Sequence, residues 1–168
     1  MRVSEILRSC GLTDLTWCTQ EALDRGRAVH LACELDDKGD LDESSVDPVV
    51  MPYLEGWRKF RKELEPQILS VEEEVEHPHY GYKGRLDRRI ILGAREGIGD
   101  LKSGPPQDHH ALQIALYAMC FDRPLARWGI YLSDEGKYKL IEYADRKDYD
   151  DAKTCISFAN LKIRRGYP

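Results

Sequence analysis

Gly84-Arg85-Leu86-Asp87-Arg88-Arg89-Ile90-Ile91-Leu92-Gly93-Ala94-Arg95-Glu96-Gly97-Ile98-Gly99-Asp100-Leu101-Lys102 reads as two strands joined by a turn. Apolar and charged residues alternate through Gly81 to Leu92 and again through Ile98 to Lys102, and the Gly-flanked segment 93–97 separates the two runs as a hairpin. A four-residue loop at 93–96 pairs Leu92 with Gly97, and the same register sets Asp87 opposite Lys102 and Arg89 opposite Asp100. Side chains alternate along a strand, so Asp100 and Lys102 share one face while Leu101 points to the other. Asp87 falls on that same face, opposite Lys102 and diagonal to Asp100. Diagonal neighbours stand about 7–8 Å apart, close enough for two carboxylates to converge on one divalent cation. Gly84 and Gly104 bracket the hairpin and permit close backbone approach at both edges.

Working outward, Val71 and Val75 alternate with acids from Ile68 onward, adding a strand ahead of the hairpin. Residues 1–35 read as helical with a break near Gly11-Leu12-Thr13-Asp14, and Thr19 or Thr13 caps the helix beyond that break. Ala22, Ala28, Val29, Ala32 and Cys33 suit the packed face of that helix. The acidic, glycine-containing segment Asp36 to Asp47 reads as an exposed loop. Pro48 then opens a helix whose Tyr53, Leu54, Trp57, Phe60 and Leu64 lie on one side. Ser103-Gly104-Pro105-Pro106 ends the second hairpin strand, and 108–121 is a helix with Leu112, Ala115, Leu116 and Met119 in one stripe. Trp128 to Leu132 and Tyr138 to Tyr143 form a second hairpin around Asp134-Glu135-Gly136, and a helix closes the chain from about Lys147 to Ile163. Helices, three strands, a helix, two strands and a helix predict an α/β fold, a mixed central sheet flanked by helices, as one domain over 1–168.

Bulk properties narrow the class. A length of 168 residues with 42% hydrophobic and 33% charged residues is ordinary for a soluble domain with a proper core. No apolar run is long enough for a membrane span, and Met1 to Arg8 is too charged for a secretory signal, so the expected compartment is the cytoplasm. The five cysteines (Cys10, Cys18, Cys33, Cys120, Cys155) lack a C-x-x-C pair and read as buried free thiols. A net charge of −5 argues against broad coating of nucleic acid, yet divalent metals in a carboxylate pocket supply local positive charge.

The acid–acid–lysine set suits phosphodiester hydrolysis. Hard oxygen ligands favour Mg2+ or Mn2+, which keep waters and accept phosphate oxygens. A lysine beside them orients the attacking water or neutralises charge in the transition state. The bland alternative is a surface hairpin carrying a solvated ion pair. Glu72, Glu74 and Glu76 alternate on one face of the preceding strand; Glu72 is the candidate extra acid, against a simple solvated acidic strand. Lys83, Arg85, Arg88 and Arg89 flank Asp87 and offer either phosphate contacts or an edge kept soluble by charge. His77, His79, His109 and His110 lack the companion pattern of a zinc enzyme.

Gly84-x-x-Asp87, Asp100-Leu101-Lys102-Ser103-Gly104, Gln113-x-x-x-Tyr117 and the upstream Gly26-x-x-x-His30, taken together in their chain order, resemble the PD-(D/E)xK nuclease superfamily and its RecB-like exonuclease branch. The resemblance runs from about residue 4 to residue 143 and implies a restriction-endonuclease-like core. It further implies Asp87 and Asp100 as metal ligands, the Leu101 carbonyl and His30 as additional ligands, and Lys102 as the catalytic lysine. Gln113 and Tyr117, at i and i+4 on one helix face, would border the site, touching DNA or fixing its loop. The cysteine pattern of cluster-bearing relatives is missing, which favours the phage- and prophage-type group without an iron–sulfur cluster.

The expected activity is therefore a Mg2+- or Mn2+-dependent DNA exonuclease of phage or bacterial recombination and DNA processing, acting on linear single- or double-stranded DNA. Two rivals are a non-catalytic DNA-binding or assembly module on the same scaffold and an endonuclease or junction resolvase of the same fold. Polarity, strand preference, homo-oligomerisation and a recombination partner protein are not encoded in these motifs.

Overall fold

The computed structural model describes residues 1–13 and 19–167. Asp14 of the expected helix break and Cys18 of the expected buried thiols lie outside the described residues. In chain order the elements are α1 (Val3–Ser9), α2 (Gln20–Lys38), α3 (Met51–Leu64), β1 (Gln67–Glu76), β2 (Lys83–Leu92), β3 (Arg95–Lys102), α4 (Asp108–Ala118), β4 (Ala126–Leu132), β5 (Tyr138–Glu142) and α5 (Lys147–Arg165), with one 3-10 turn at Glu43–Ser45. The five strands form one sheet in the order β1-β2-β3-β4-β5. Among these strands only β3 and β4 run parallel; the other neighbours are antiparallel. A parallel step needs a crossover, and α4 supplies it.

Two apolar clusters cover the sheet. One gathers Val3, Ile6 and Leu7 of α1, Ile114 to Ala118 of α4 and Ala152, Cys155, Ile156 and Ala159 of α5 around Leu86 and Ile98. The other packs Val29, Ala32 and Cys33 of α2 and Tyr53, Leu54, Trp57 and Phe60 of α3 on Ile90, Leu101, Trp128, Ile130 and Leu132. The expected α4 stripe falls in the first cluster, with Ala115 and Leu116 buried and Leu112 and Met119 at its edge. The described Cys10, Cys33, Cys120 and Cys155 are free, two of them only half-buried.

Three local expectations are corrected. The helix expected to end before Asp36 continues to Lys38, where Gly39 takes φ 75° and accepts the left-handed cap. Asp36 and Asp37 are therefore helical, and Arg58 and Arg61 of α3 bind them. Acidic composition was misleading here because the partners lie about twenty residues away. At the front of that helix Thr19, one of the two expected caps, accepts the Ala22 N–H. The next helix starts at Met51 with Pro52 in its first turn, so Pro48 lies in the turn before it rather than at its opening.

The third correction concerns the central hairpin. Leu92 pairs with Arg95 and Arg89 with Ile98, a register two residues tighter than expected. Gly93 adopts φ 62°, which permits a two-residue turn at 93–94. Gly97 serves the sheet instead. A Cβ there would stand 2.5 Å from the Ala126 carbonyl oxygen and from the Trp128 ring, so its bare backbone lets β4 close on β3. A shift of two residues preserves strand alternation. The three key side chains therefore still converge.

Candidate active site

Asp87 is the hub of the site. Its Oδ2 accepts the Leu101 backbone N–H at 2.7 Å, tying the middle of β2 to the end of β3 inside the protein. Its Oδ1 lies 3.4 Å from Nδ1 of His30, which projects from α2. Glu72 approaches from β1. One ligand atom from each of His30, Glu72 and Asp87 fits within a mutual spacing of 4.8 Å. Glu72 occupies φ 53°, a left-handed conformation that costs an ordinary residue about 1–2 kcal/mol. Its carboxylate is held by Arg85 Nε at 2.8 Å and faces Arg88 at 3.4 Å. Glu74 and Glu76 are exposed, so the three alternating glutamates do not share one environment.

Asp100 and Lys102 form an ion pair beside this group. The Asp100 side chain is 1% exposed, and among the described residues neither of its oxygens accepts a hydrogen bond of normal geometry. Lys102 Nζ donates to Gln113 Oε1 at 3.1 Å, and Gln113 Nε2 donates to the Tyr117 hydroxyl at 3.4 Å. The α4 pair thus faces the lysine. Tyr117 can lie there because residue 84 has no side chain: a Cβ on Gly84 would meet the Tyr117 ring at 2.5 Å. Gly104 differs from expectation, since a Cβ there meets nothing within 4 Å.

The cleft over these residues has a volume of about 590 Å³, and its walls include His30, Leu31, Glu72, Arg85, Lys102 and His109. Arg85 sits on its rim with a side chain 62% exposed. Arg88, by contrast, is fully buried, so it is corrected from a candidate phosphate contact to an interior residue. Arg89 is tied to Glu73 and Glu96. His77 Nδ1 accepts the His79 and Tyr80 N–H groups, and His110 Nδ1 meets the Tyr131 hydroxyl at 2.8 Å. Both imidazoles are engaged in local structure.

Electrostatics separates the two aspartates. Burial works to raise Asp87, but His30, Lys102 and the Leu101 N–H together hold it at about 2. For Asp100 burial dominates; Lys102 opposes it, Asp87 adds to it, and the carboxyl rises to about 6. Burial would lower Lys102, yet Asp100 and Asp87 outweigh it and raise the amine, which stays an ammonium. His30 is raised, above all by the charge of Asp87. Burial and then Asp87 raise Glu72.

Imidazole nitrogen with carboxylate oxygens is a donor set that suits a divalent first-row cation. Buried Asp100, whose Oδ1 has no partner among the described residues, lies beside the His30–Glu72–Asp87 group and fits the same role.

No protein-family model matches the chain, and no curated protein matches it. Among solved structures, LHK-Exo, an alkaline exonuclease from Laribacter hongkongensis, is similar with a TM-score of 0.54 at 13% identity, over 99% of this chain and 89% of that one. The chain shares its fold with an exonuclease. The LHK-Exo complex with dAMP is similar with a TM-score of 0.53 at 15% identity, again over 99% of this chain and 89% of the other. A mixed α/β sheet flanked by helices is thus common to this chain and LHK-Exo. At such identity the likeness carries the fold alone, and chemistry must be argued from the side chains.

Sequence reasoning singled out His30, Asp87, Asp100 and Lys102, which meet here, and favoured Glu72 among three alternating acids, against a simple solvated strand. It missed Asp37 and placed Arg88 on the surface. The available signal for Arg88 was strand parity, which puts it on the same face as the apolar Ile90 two residues on.

Proposed function

We propose that this protein is a divalent-metal-dependent DNA nuclease of the PD-(D/E)xK type, and specifically an exonuclease. The observation that carries the reading is the convergence of His30, Glu72 and Asp87 from three separate elements, beside a buried Asp100–Lys102 pair. His30, Glu72, Asp87, Asp100 and the Leu101 carbonyl would hold Mg2+ or Mn2+. A cation bound there supplies a more acidic water and offsets charge on the phosphate. Tethered nitrogen and oxygen ligands favour Mn2+ at least as much as Mg2+.

The chain's own residues account for the rest. Phosphodiester hydrolysis joins a water oxygen to phosphorus while the bond to one bridging sugar oxygen breaks. The water's proton passes to solvent and the departing oxygen takes one up, leaving a phosphate monoester and a free hydroxyl. Lys102 remains charged at neutral pH, so it cannot take the water's proton; it donates to the oxygens that gain charge. Asp100 and Gln113 aim its Nζ. Arg85, on the cleft rim, contributes a phosphate contact that positions the strand without reading bases. Tyr117 supports Gln113 by accepting its Nε2 hydrogen bond.

The RecB-like branch and a role in phage or bacterial recombination rest on the ordered motifs. The exonuclease assignment draws on those motifs and on the LHK-Exo likeness. Purified protein with Mg2+ or Mn2+ should degrade end-labelled linear DNA and spare closed circular DNA. Cleavage in excess chelator, or full activity in Lys102→Ala, overturns the mechanism; equal cutting of circles replaces exonuclease by endonuclease.

A further inference from the structure

Arg88 is fully buried, yet it links the elements that carry His30, Glu72 and Asp87. Its Nε donates to Asp37 Oδ2 at 2.6 Å on α2, the helix of His30. Its Nη1 donates to the Asp87 carbonyl at 2.7 Å on β2 and lies 3.4 Å from Glu72 Oε1 on β1. The guanidinium stacks over Trp57 with its carbon 5.4 Å from the ring centroid. Asp37, also with no exposed side chain, accepts from Trp57 Nε1 at 2.9 Å and from Arg61 at 2.8 Å. Asp37 follows His30 by seven residues, about two helical turns, so both project from the same side of α2.

We infer that Arg88 and Asp37 are a positioning pair that sets the spacing of α2, β1 and β2 and thereby the cation affinity of the His30–Glu72–Asp87 group. The inference rests on the divalent-metal reading of that site. A buried ion pair is a poor device for stability, because apolar residues of similar volume do as well or better. Its distinguishing property is geometry: a planar fork of fixed donors lets Arg88 tie its own strand β2 to α2 and β1 at once. The strained backbone of Glu72 needs such support, since a residue in a sparsely populated conformation persists only where its surroundings determine it. Arg88 meets the Glu72 carboxylate from below while Arg85 holds it from the rim. Partners that orient metal ligands typically change metal affinity or activity about 10–100-fold when removed.

The test titrates Mn2+ by calorimetry into the wild type, Arg88→Lys, and the paired variant Arg88→Met/Asp37→Leu, with a thermal melt of each. The paired change removes both charges together and so avoids stranding one of them. Arg88→Lys keeps a cation beside Asp37 but lacks the fork, and it decides the matter if the paired variant does not fold. A control, Arg127→Met/Asp148→Leu, removes an ion pair at 2.7 Å between β4 and α5, outside α2, β1 and β2, the three elements that Arg88 and Asp37 connect. Mn2+ affinity should fall about 10–100-fold in the folded Arg88 variants and stay unchanged in the control. Folded Arg88 variants that bind Mn2+ as tightly as the wild type overturn the inference and leave the nuclease reading intact. Wild-type protein that binds no Mn2+ overturns both.

Discussion

His30 Nδ1 lies 3.4 Å from Oδ1 of Asp87, so a helix and a strand remote in sequence share one polar contact at the centre of the cleft. A proton shared between His30 and Asp87 competes with a cation for these two side chains. His30 is raised by Asp87, and Asp100 titrates at about 6, whereas Asp87 stays ionised down to about 2. Asp100 thus carries a proton in mildly acidic solution and loses it above about pH 6, while His30 keeps its proton to a higher pH than a free imidazole does. Mn2+ affinity is expected to rise with pH through about 6, where Asp100 gives up its proton, with up to about two protons released per ion at the acid end. Calorimetry in buffers of different ionisation enthalpy counts those protons, and a flat affinity profile contradicts the site.

The same values bear on stability with a definite sign. Asp87 is depressed from 3.8 to about 2, so its contribution is present above the unfolded value and lost as pH falls through the folded one. Asp87→Asn should therefore flatten the acid limb of the stability curve between about pH 4 and pH 2. Urea melts across that window measure it.

Lys102→Ala should lower cleavage about 10²–10³-fold, the usual cost of losing a donor aimed at developing charge. Its Mn2+ affinity should not weaken, because the ammonium no longer competes for Asp100. Parallel weakening of metal binding would show that Lys102 organises the acids rather than acting on the phosphate.

Glu72→Gln separates the extra acid from a solvated strand residue. If Glu72 is a ligand, Mn2+ binding falls about tenfold or more, while Glu74→Gln and Glu76→Gln, on exposed positions, change nothing. Equal behaviour of all three removes Glu72 from the site.

Gly84→Ala tests the packing beneath the cleft. The new methyl would stand 2.5 and 2.9 Å from two Tyr117 ring carbons and 3.0 Å from Val3 Cγ2. Overpacking of this kind costs about 1–3 kcal/mol, or about 2–4 °C of melting temperature per kcal/mol at this chain length. In a Tyr117→Leu background the penalty should shrink, since the ring that blocks the methyl is gone. An undiminished loss there would place the strain at Val3 instead.

Element order was legible in the sequence because it depends on local periodicity. The alternation around Asp87 and Asp100, the α4 stripe and the Trp128–Leu132 run are short-range patterns, and all reappear in the fold. The hairpin register was not, because Gly93 and Gly97 look alike in sequence. One serves a turn at φ 62°, and the other admits β4 against the backbone, a difference visible only once β4 is in place.

The same division runs through the site. Residue types and spacing alone determined that Asp87, Asp100 and Lys102 belong together, since strand parity holds them on converging positions whatever even register the turn selects. Only tertiary structure decided that Glu72 rather than Glu74 or Glu76 joins His30, and that Asp37 and Arg88 lie buried beneath them. Those choices depend on helix-to-sheet distances spanning up to about fifty residues of chain, which no local pattern of charge or hydrophobicity records.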